Sequence, residues 1–495
     1  MDNANDLYNK QIVDSIKEVL NKYAIPSLAS RMLVLDLSLL SLVPNQENGM
    51  SYINTHKIYP GYSRFFAMFG LMSCDKILDQ YGSVSLEDMA FMSRGLDKII
   101  EHALKKDGVQ AAEAMYLAQR DWQKDYLMKT YLLSLLLNNN KIKPIYESLN
   151  TVSIDDIVSL CLLVKLSSET SVLKSLVENN IQPHVFFENI LKYIVSNINY
   201  VIIEIDDYKA KQNNKLSLAN YNPFYTRPLV KDYPVVHIAR DLYVFSSYFY
   251  LQDAIFSRTI REIADGGKNS KIIGDAYEEV MYEAFEKMYA FSDVNTLGEK
   301  TIYLNPHTKK SGELCDILIK QGDKYLLIDC KAKELIEEIF QNNSSELEVL
   351  KEKFEQRIKR IDDIKNNKFS TVFKDDVSID NVYSIIALVD DGVYSKGMLF
   401  DSFFSDLSEE EKIFYCKHIH LISFSDLLGA IVSQVNLIEV IENSNNSKEK
   451  YTYHLSQNIT NKRKKKENAI FDRWYKKAAG KAAEFVVNNR FIEKH

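Results

Sequence analysis

One short stretch of this chain holds charged residues of the types and spacing that metal-assisted hydrolysis needs. Gly312-Glu313-Leu314-Cys315-Asp316-Ile317-Leu318-Ile319-Lys320 is followed by Gln321-Gly322-Asp323-Lys324 and then by Tyr325-Leu326-Leu327-Ile328-Asp329-Cys330-Lys331. Gly322-Asp323 suits a two-residue turn between β-prone runs, and such a turn pairs Gln321 with Lys324. Counting outward from that pair sets Asp316 directly opposite Asp329. Because side chains alternate along a strand, Asp329 and Lys331 point the same way. Ile317, Ile319, Leu326, Ile328 and Cys330 then cover the other face.

Opposed carboxylates with β-carbons about 5 Å apart repel by roughly 3 kcal/mol at an effective dielectric near 20. A purely structural hairpin gains nothing from that. A divalent cation reverses the sign, because carboxylates and water are the hard oxygen ligands Mg²⁺ prefers. A lysine beside them can orient or deprotonate an attacking water, or stabilise charge on a phosphate. The competing account is a solvated strand face with an accidental Asp pair. The Asp-x-Lys spacing alone decides nothing, since Asp207-Tyr208-Lys209 and Asp363-Ile364-Lys365 repeat it. The register-matched Asp316 sets the hairpin apart.

These residues need a sheet and helices to hold them. Arg227 to Val230, Pro234 to Ile238, Thr301 to Leu304, Cys315 to Ile319, Tyr325 to Cys330, Tyr383 to Val389 and Ile419 to Ile422 read as strands. Asp241 to Ile263, Ile272 to Tyr289 and Leu347 to Ile364 read as helices among them. On the second helix Tyr277, Val280, Met281, Ala284, Phe285 and Met288 form the apolar stripe. Glu278 lies at its edge, able to reach the sheet, whereas Glu279 points away toward solvent. Upstream, Gln11 to Tyr23, Met89 to Leu104, Ala111 to Leu137 and Ile154 to Val177 repeat apolar residues at helical spacing. Lys209 to Asn220 turns polar, with Lys211 to Lys215 reading as a loop and a boundary.

The fold class expected is α+β. An all-helical domain over 1–210 serves a partner, a sensor role or self-association. An α/β domain over 225–435 has a central mixed sheet flanked by helices. A polar, basic tail over 440–495 ends in a helix.

At the residues quoted above the chain resembles the PD-(D/E)XK, or restriction-endonuclease-like, nuclease superfamily. Gly274-Asp275-Ala276-Tyr277-Glu278 looks like its helix element, Asp316 like its first-strand acid, and Asp329-Cys330-Lys331 like its D-x-K. The likeness covers Arg227 to Leu428 and has Cys315 where the family name carries Pro. It implies a restriction-endonuclease-like fold and Mg²⁺ or Mn²⁺ held by Asp316, Asp329 and the main-chain carbonyl of Cys330. Glu278 adds a carboxylate that a second metal would use. Lys331 would assist the water that cleaves a phosphodiester to a 5′-phosphate and a 3′-hydroxyl. Gln356 resembles a glutamine that some members place on the next helix.

The resemblance implies a nucleic-acid substrate, DNA ahead of RNA, and by analogy of fold to role a prokaryotic antiphage or restriction function. Two alternatives stand beside it: a nuclease-like module that binds nucleic acid or assembles without cleaving, and an RNase switched on by a partner. Lys333, Gln356 and the run Lys462, Arg463, Lys464, Lys465 and Lys466 are the candidate nucleic-acid contacts.

Bulk properties bound the remainder. At 495 residues and 46% hydrophobic the chain can bury more than one core. A formal charge of -7 confines any nucleic-acid surface to a local cleft. Five scattered cysteines without a C-x-x-C pair fit a reducing compartment and no structural zinc site. Gly266-Gly267-Lys268-Asn269 lacks the earlier Gly and the Ser or Thr of a phosphate loop. His418 and His420 read as ordinary sheet or surface residues. Met1 to Leu20 lacks the basic start and apolar core of a secretory leader. Met32 to Val43 and Tyr131 to Leu137 fall short of the roughly 20 residues that span a bilayer. A cytoplasmic protein without a membrane partner is expected.

Overall fold

The computed structural model describes residues 2–23, 63–73, 85–107, 125–167, 183–226, 228–248, 250–289, 300–304, 307–308, 312–334, 344–369, 373, 377–390, 400, 403–445, 455, 459, 468–489 and 491. Its helices are α1 Asp2–Leu20, α2 Ser63–Ser73, α3 Leu86–Asp107, α4 Tyr126–Leu137, α5 Lys143–Leu149, α6 Ile154–Ser167, α7 Pro183–Asn197, α8 Ile205–Leu218, α9 Leu251–Ala264, α10 Ser270–Ala284, α11 Ser344–Lys365, α12 Glu409–His418, α13 Phe424–Val432, α14 Leu437–Asn445 and α15 Ala469–Asn488. Its strands are β1 Ile202–Glu204, β2 Val235–Ala239, β3 Leu242–Phe245, β4 Lys300–Leu304, β5 His307–Thr308, β6 Gly312–Glu313, β7 Ile317–Gln321, β8 Lys324–Glu334, β9 Val382–Asp390 and β10 Ile419–Ser423. The protein is thus mixed α+β. Among the described residues no single helix is long and apolar enough to cross a membrane.

The chain divides into two compact units. The first comprises 1–130, 147–263 and 476–495, and the second 131–146 and 264–475. These bounds differ from 1–210, 225–435 and 440–495, because 131–146 belongs with the second unit and 147–263 and 476–495 return to the first.

In the first unit, α1 buries Val13, Ile16 and Leu20, one stripe at helical spacing, as α2 and α3 pack against it. The unit is not all-helical. β1 pairs parallel with β2, and β2 antiparallel with β3. Three expectations fail here for identifiable reasons. The span Asp241 to Ile263 is not one helix. Arg240 takes a left-handed φ of 48° and turns the chain, so Leu242-Tyr243-Val244-Phe245 pairs with β2 before α9 begins. The polar stretch Lys211 to Lys215 is not a loop but part of α8, which buries Tyr208, Gln212 and Leu216 at i, i+4 spacing. A stripe one residue wide suffices when flanked by good helix formers such as Lys and Gln. Of Arg227 to Val230, Arg227 lies outside the described residues and the rest is not a strand: Leu229–Lys231 is a 3₁₀ turn, and the Leu229 N–H donates to Gln212 Oε1 at 2.7 Å.

The second unit is built on a five-stranded sheet in the order β10-β9-β8-β7-β4. β4, β7 and β8 run antiparallel, and β8, β9 and β10 run parallel, so the sheet is mixed. Parallel neighbours need crossovers, and α11 and α12 lie in those connections. Gly322 takes φ 63° in the two-residue turn and sets Gln321 against Lys324. Leu318, Tyr325 and Leu327 pack with Leu314, Ile364, Phe369, Phe373 and Val382 on one face. Ile317, Ile319, Leu326 and Ile328 are buried on the other. There α10 packs on β8, burying Tyr277, Val280, Met281 and Ala284, with Tyr277 stacked on Phe424 of α13 at 4.5 Å.

Candidate active site

The middle of β8 carries Asp329 and Lys331 to one face by simple alternation. The β7–β8 ladder runs from Gln321↔Lys324 to Ile317↔Ile328 and ends there. Asp316 lies one residue beyond, at a bend rather than on the strand. Its N–H donates to the Ile328 carbonyl at 3.1 Å, and its Oδ2 accepts the Cys330 N–H at 2.6 Å. The strict cross-strand opposition expected from turn counting is therefore replaced by a carboxylate folded over the β8 backbone. A charge-assisted bond of this kind anchors the carboxylate firmly. Lys331 Nζ stands 3.9 Å from the same Oδ2.

Both carboxylates are nearly buried, Asp316 with 6% and Asp329 with 7% of their surface exposed. Burial pushes the Asp329 carboxyl up to about 6, and the negative charge of Asp316 adds to that rise against the opposing pull of Arg357, Lys331 and Lys353.

Arg357, which the sequence reading passed over, is the group that answers this charge. It is 6% exposed, and its Nη1 lies 2.5 Å from Asp329 Oδ2, in ion-pair contact but without the alignment of a hydrogen bond. The same Nη1 donates to the Leu314 carbonyl at 3.2 Å, two residues before Asp316. One guanidinium thus ties the Asp316 bend to the Asp329 strand. A signal for it exists in the sequence: Arg357 occupies an apolar position in the stripe Leu350, Phe354, Ile361, Ile364, all buried on α11. Lys353 stands one turn earlier on that helix. Burial lowers its pKa first, and the nearby Lys331 charge lowers it further. Gln356 is exposed and accepts a hydrogen bond from Lys353 at 2.9 Å. Its neighbour Arg357, not Gln356, enters the site.

Glu278 is half-buried on α10. Its charge acts on the Cys330 thiol, which burial pushes well up, with Asp316 and Glu278 adding to the rise. Cys330 alternates to the opposite face of β8 from Asp329 and Lys331. Among the described residues no group of three or more His, Cys, Asp or Glu side chains is placed to hold a metal ion, so Glu278 is not gathered with the Asp pair. Glu279 does not simply face solvent. Its carboxylate meets Lys141 Nζ at 2.7 Å and accepts from Asn139 Nδ2 at 3.1 Å, and those two hydrogen bonds hold it below the usual range.

Lys333 lies on β8, its side chain outside the described residues, as are Lys462, Arg463, Lys464, Lys465 and Lys466 altogether. His418 ends α12 rather than sharing a strand with His420 of β10. Both are buried, with Nδ1 of His418 against the Val382 carbonyl at 2.7 Å and Nε2 of His420 against the Lys417 carbonyl at 3.1 Å.

No family model, curated protein or solved structure matches this chain. The chemistry therefore rests on the donor set itself. Two carboxylates suit one hard cation that keeps much of its water shell. Asp329 Oδ2 makes no hydrogen bond but lies against Arg357 Nη1 at 2.5 Å, so a cation there would share or displace that contact. Asp316 and Asp329 are the carboxylates that could hold one Mg²⁺ or Mn²⁺, with the Cys330 carbonyl as the further donor the resemblance implies. The present arrangement does not fit a site in which Glu278 is a third carboxylate ligand.

Proposed function

We propose that this protein is a Mg²⁺- or Mn²⁺-dependent phosphodiesterase that cleaves nucleic acid, DNA ahead of RNA. One observation carries the reading: two buried carboxylates from adjacent chain segments lie together with a lysine 3.9 Å from one of them. A bound divalent cation supplies Lewis-acid activation of water and neutralises phosphate charge. The chain's own groups do the rest. The Cys330 amide holds Asp316 in place, leaving its other oxygen for a ligand. Lys331 is a quarter exposed, able to orient the attacking water or to steady charge on the phosphate. The buried surroundings of Asp316 and Asp329 strengthen each of these interactions.

Purified protein with plasmid and Mg²⁺ is expected to nick or degrade the DNA. Asp329→Ala and Lys331→Ala should each lower the rate by roughly 10²-fold or more. Activity that survives both changes removes the assignment. Parallel DNA and RNA panels decide the substrate, including the alternative of a partner-activated RNase. A role in antiphage defence or restriction is analogy only, tested by plaque counts across a broad phage panel.

A second reading has one observation in its favour: Arg357 already lies against Asp329, as a cation would. On that reading the site is a nucleic-acid-binding or assembly module without catalysis, and calorimetric titration with Mn²⁺ would show no saturable binding that depends on Asp316.

A further inference from the structure

We propose that Lys353, with Lys331, forms a seat for a backbone phosphate of the substrate beside the Asp316 and Asp329 carboxylates. This inference rests on the phosphodiesterase reading and names how that site engages its substrate. Three cations, Lys331, Lys353 and Arg357, come to these two carboxylates from β8 and α11. Arg357 is matched directly by Asp329 at 2.5 Å, and Lys331 stands 3.9 Å from Asp316. Lys353 differs from both. Its hydrogen-bond partner among the described residues is the neutral Gln356 amide, at 2.9 Å.

Arg357 and Lys353 are four residues apart on α11 and so share a helix face, with an axial offset of about 6 Å. Arg357 touches Asp329, and Lys353, one turn earlier on α11, lies close enough for the charges of both Lys331 and Asp329 to act on it. There the two ammonium groups repel each other, an effect that lowers the Lys353 pKa beyond what burial does. Like charges held together gain once an anion bridges them, as opposed carboxylates gain from a cation. A phosphodiester oxygen suits two lysines as point charges. Buried Arg357 is already committed to Asp329 and the Leu314 carbonyl, so it acts as a positioning strut for the carboxylates, not as a phosphate ligand. The seat therefore falls to the partly exposed Lys353 and Lys331.

Binding of a short fluorescent DNA duplex to the full chain, measured by anisotropy in EDTA over a range of salt, tests this. Lys353→Met should weaken binding about tenfold and flatten the log–log salt slope by about 0.9, the loss of one phosphate contact. Lys353→Arg should restore most of both. Because Lys353 is partly exposed and its hydrogen bond is to the exposed Gln356, the melting temperature of each variant should stay close to the parent's and separates binding from folding. Unchanged affinity and slope in Lys353→Met overturn the seat, while plasmid cleavage by that variant would leave the phosphodiesterase reading standing. A slope change without cleavage in any divalent metal keeps the seat and removes the hydrolysis. A chain that neither binds nor cuts removes both.

Discussion

Replacing Arg357 by Met is the most revealing perturbation of this site. Methionine fills similar space but leaves Asp329 buried without its ion-pair partner. Breaking one side of a buried pair costs roughly 3–5 kcal/mol, because the remaining charge is stranded. The size of that loss depends on pH, and its sign follows from Asp329. In the parent, the folded carboxyl sits near 6, above its unfolded value. As pH rises past about 4 the unfolded chain ionises first, so this group erodes stability across the window from about 4 to about 6, by on the order of 3 kcal/mol. Above that window both states are ionised and the erosion stops.

Removing Arg357 takes away an influence that lowers the folded pKa, so the window extends upward and erosion continues toward neutral pH. The variant should lose about 3–5 kcal/mol at pH 8, the stranded-charge cost. At pH 5 a protonated Asp329 needs no counter-ion, and the loss should shrink to about 1–2 kcal/mol, the cost of the Leu314 hydrogen bond. Amide exchange of the β8 peptides by mass spectrometry, corrected for intrinsic rates at each pH, reads this as local opening free energy. Equal losses at the two pH values, or a larger loss at pH 5, would refute a charge-based role for Arg357.

Other consequences follow from the same geometry. Asp316→Asn keeps an acceptor for the Cys330 amide but removes a charge, so Mn²⁺ titration by calorimetry should lose its saturable site while the melting temperature changes little. His237 presents Nδ1 to both oxygens of Glu204 at 2.7 and 2.8 Å and Nε2 to the Arg240 carbonyl at 2.6 Å, which only the imidazolium satisfies at both nitrogens. Its pKa is raised by the Arg240 carbonyl first and by Glu204 next, so the stabilisation is present below the unfolded pKa of about 6.5 and lost as pH rises through the folded value. Glu204→Gln should lower the His237 pKa in an NMR titration, with a stability change below about 1 kcal/mol because Glu204 is largely exposed. Gly322→Ala should cost about 1 kcal/mol in urea unfolding, because a β-carbon at φ 63° is strained even though no neighbour lies within 4 Å; Gly322→Asn should cost less.

The sheet was legible where alternation and turn chemistry agreed. Gly322-Asp323 fixed the pairing of Gln321 with Lys324, and every strand expected between Thr301 and Ile422 appears at its place, with bounds within two residues except that β8 runs four residues past Cys330 to Glu334. Misreadings came where local pattern and tertiary contact diverged. Leu242 to Phe245 has apolar residues that fit a helix window, yet pairing with β2 claims them. Turn counting carried Asp316 one step too far along a ladder that ends at Ile317, because nothing local announces that the chain bends to place a carboxylate on the Cys330 amide. Arg357 lies outside the spacing of acids and lysines that marks the hairpin. A cation inside an apolar helical stripe was the available sign, since burying one requires a partner. Glu278 was placed on the correct helix edge, but an edge position does not say which strand face it meets.

The interleaving of the two units bears on how this chain acquires its structure during synthesis. The first unit draws on 476–495 as well as 1–130, and the second needs 131–146 together with residues as far as 475. Domains ordinarily mature one after another as the ribosome advances. Here 131–146 is made between two parts of the first unit yet must wait for 264–475, so the two units are expected to mature together rather than in turn. Translation-coupled pulse proteolysis would show this as protection arriving late and almost simultaneously across both halves.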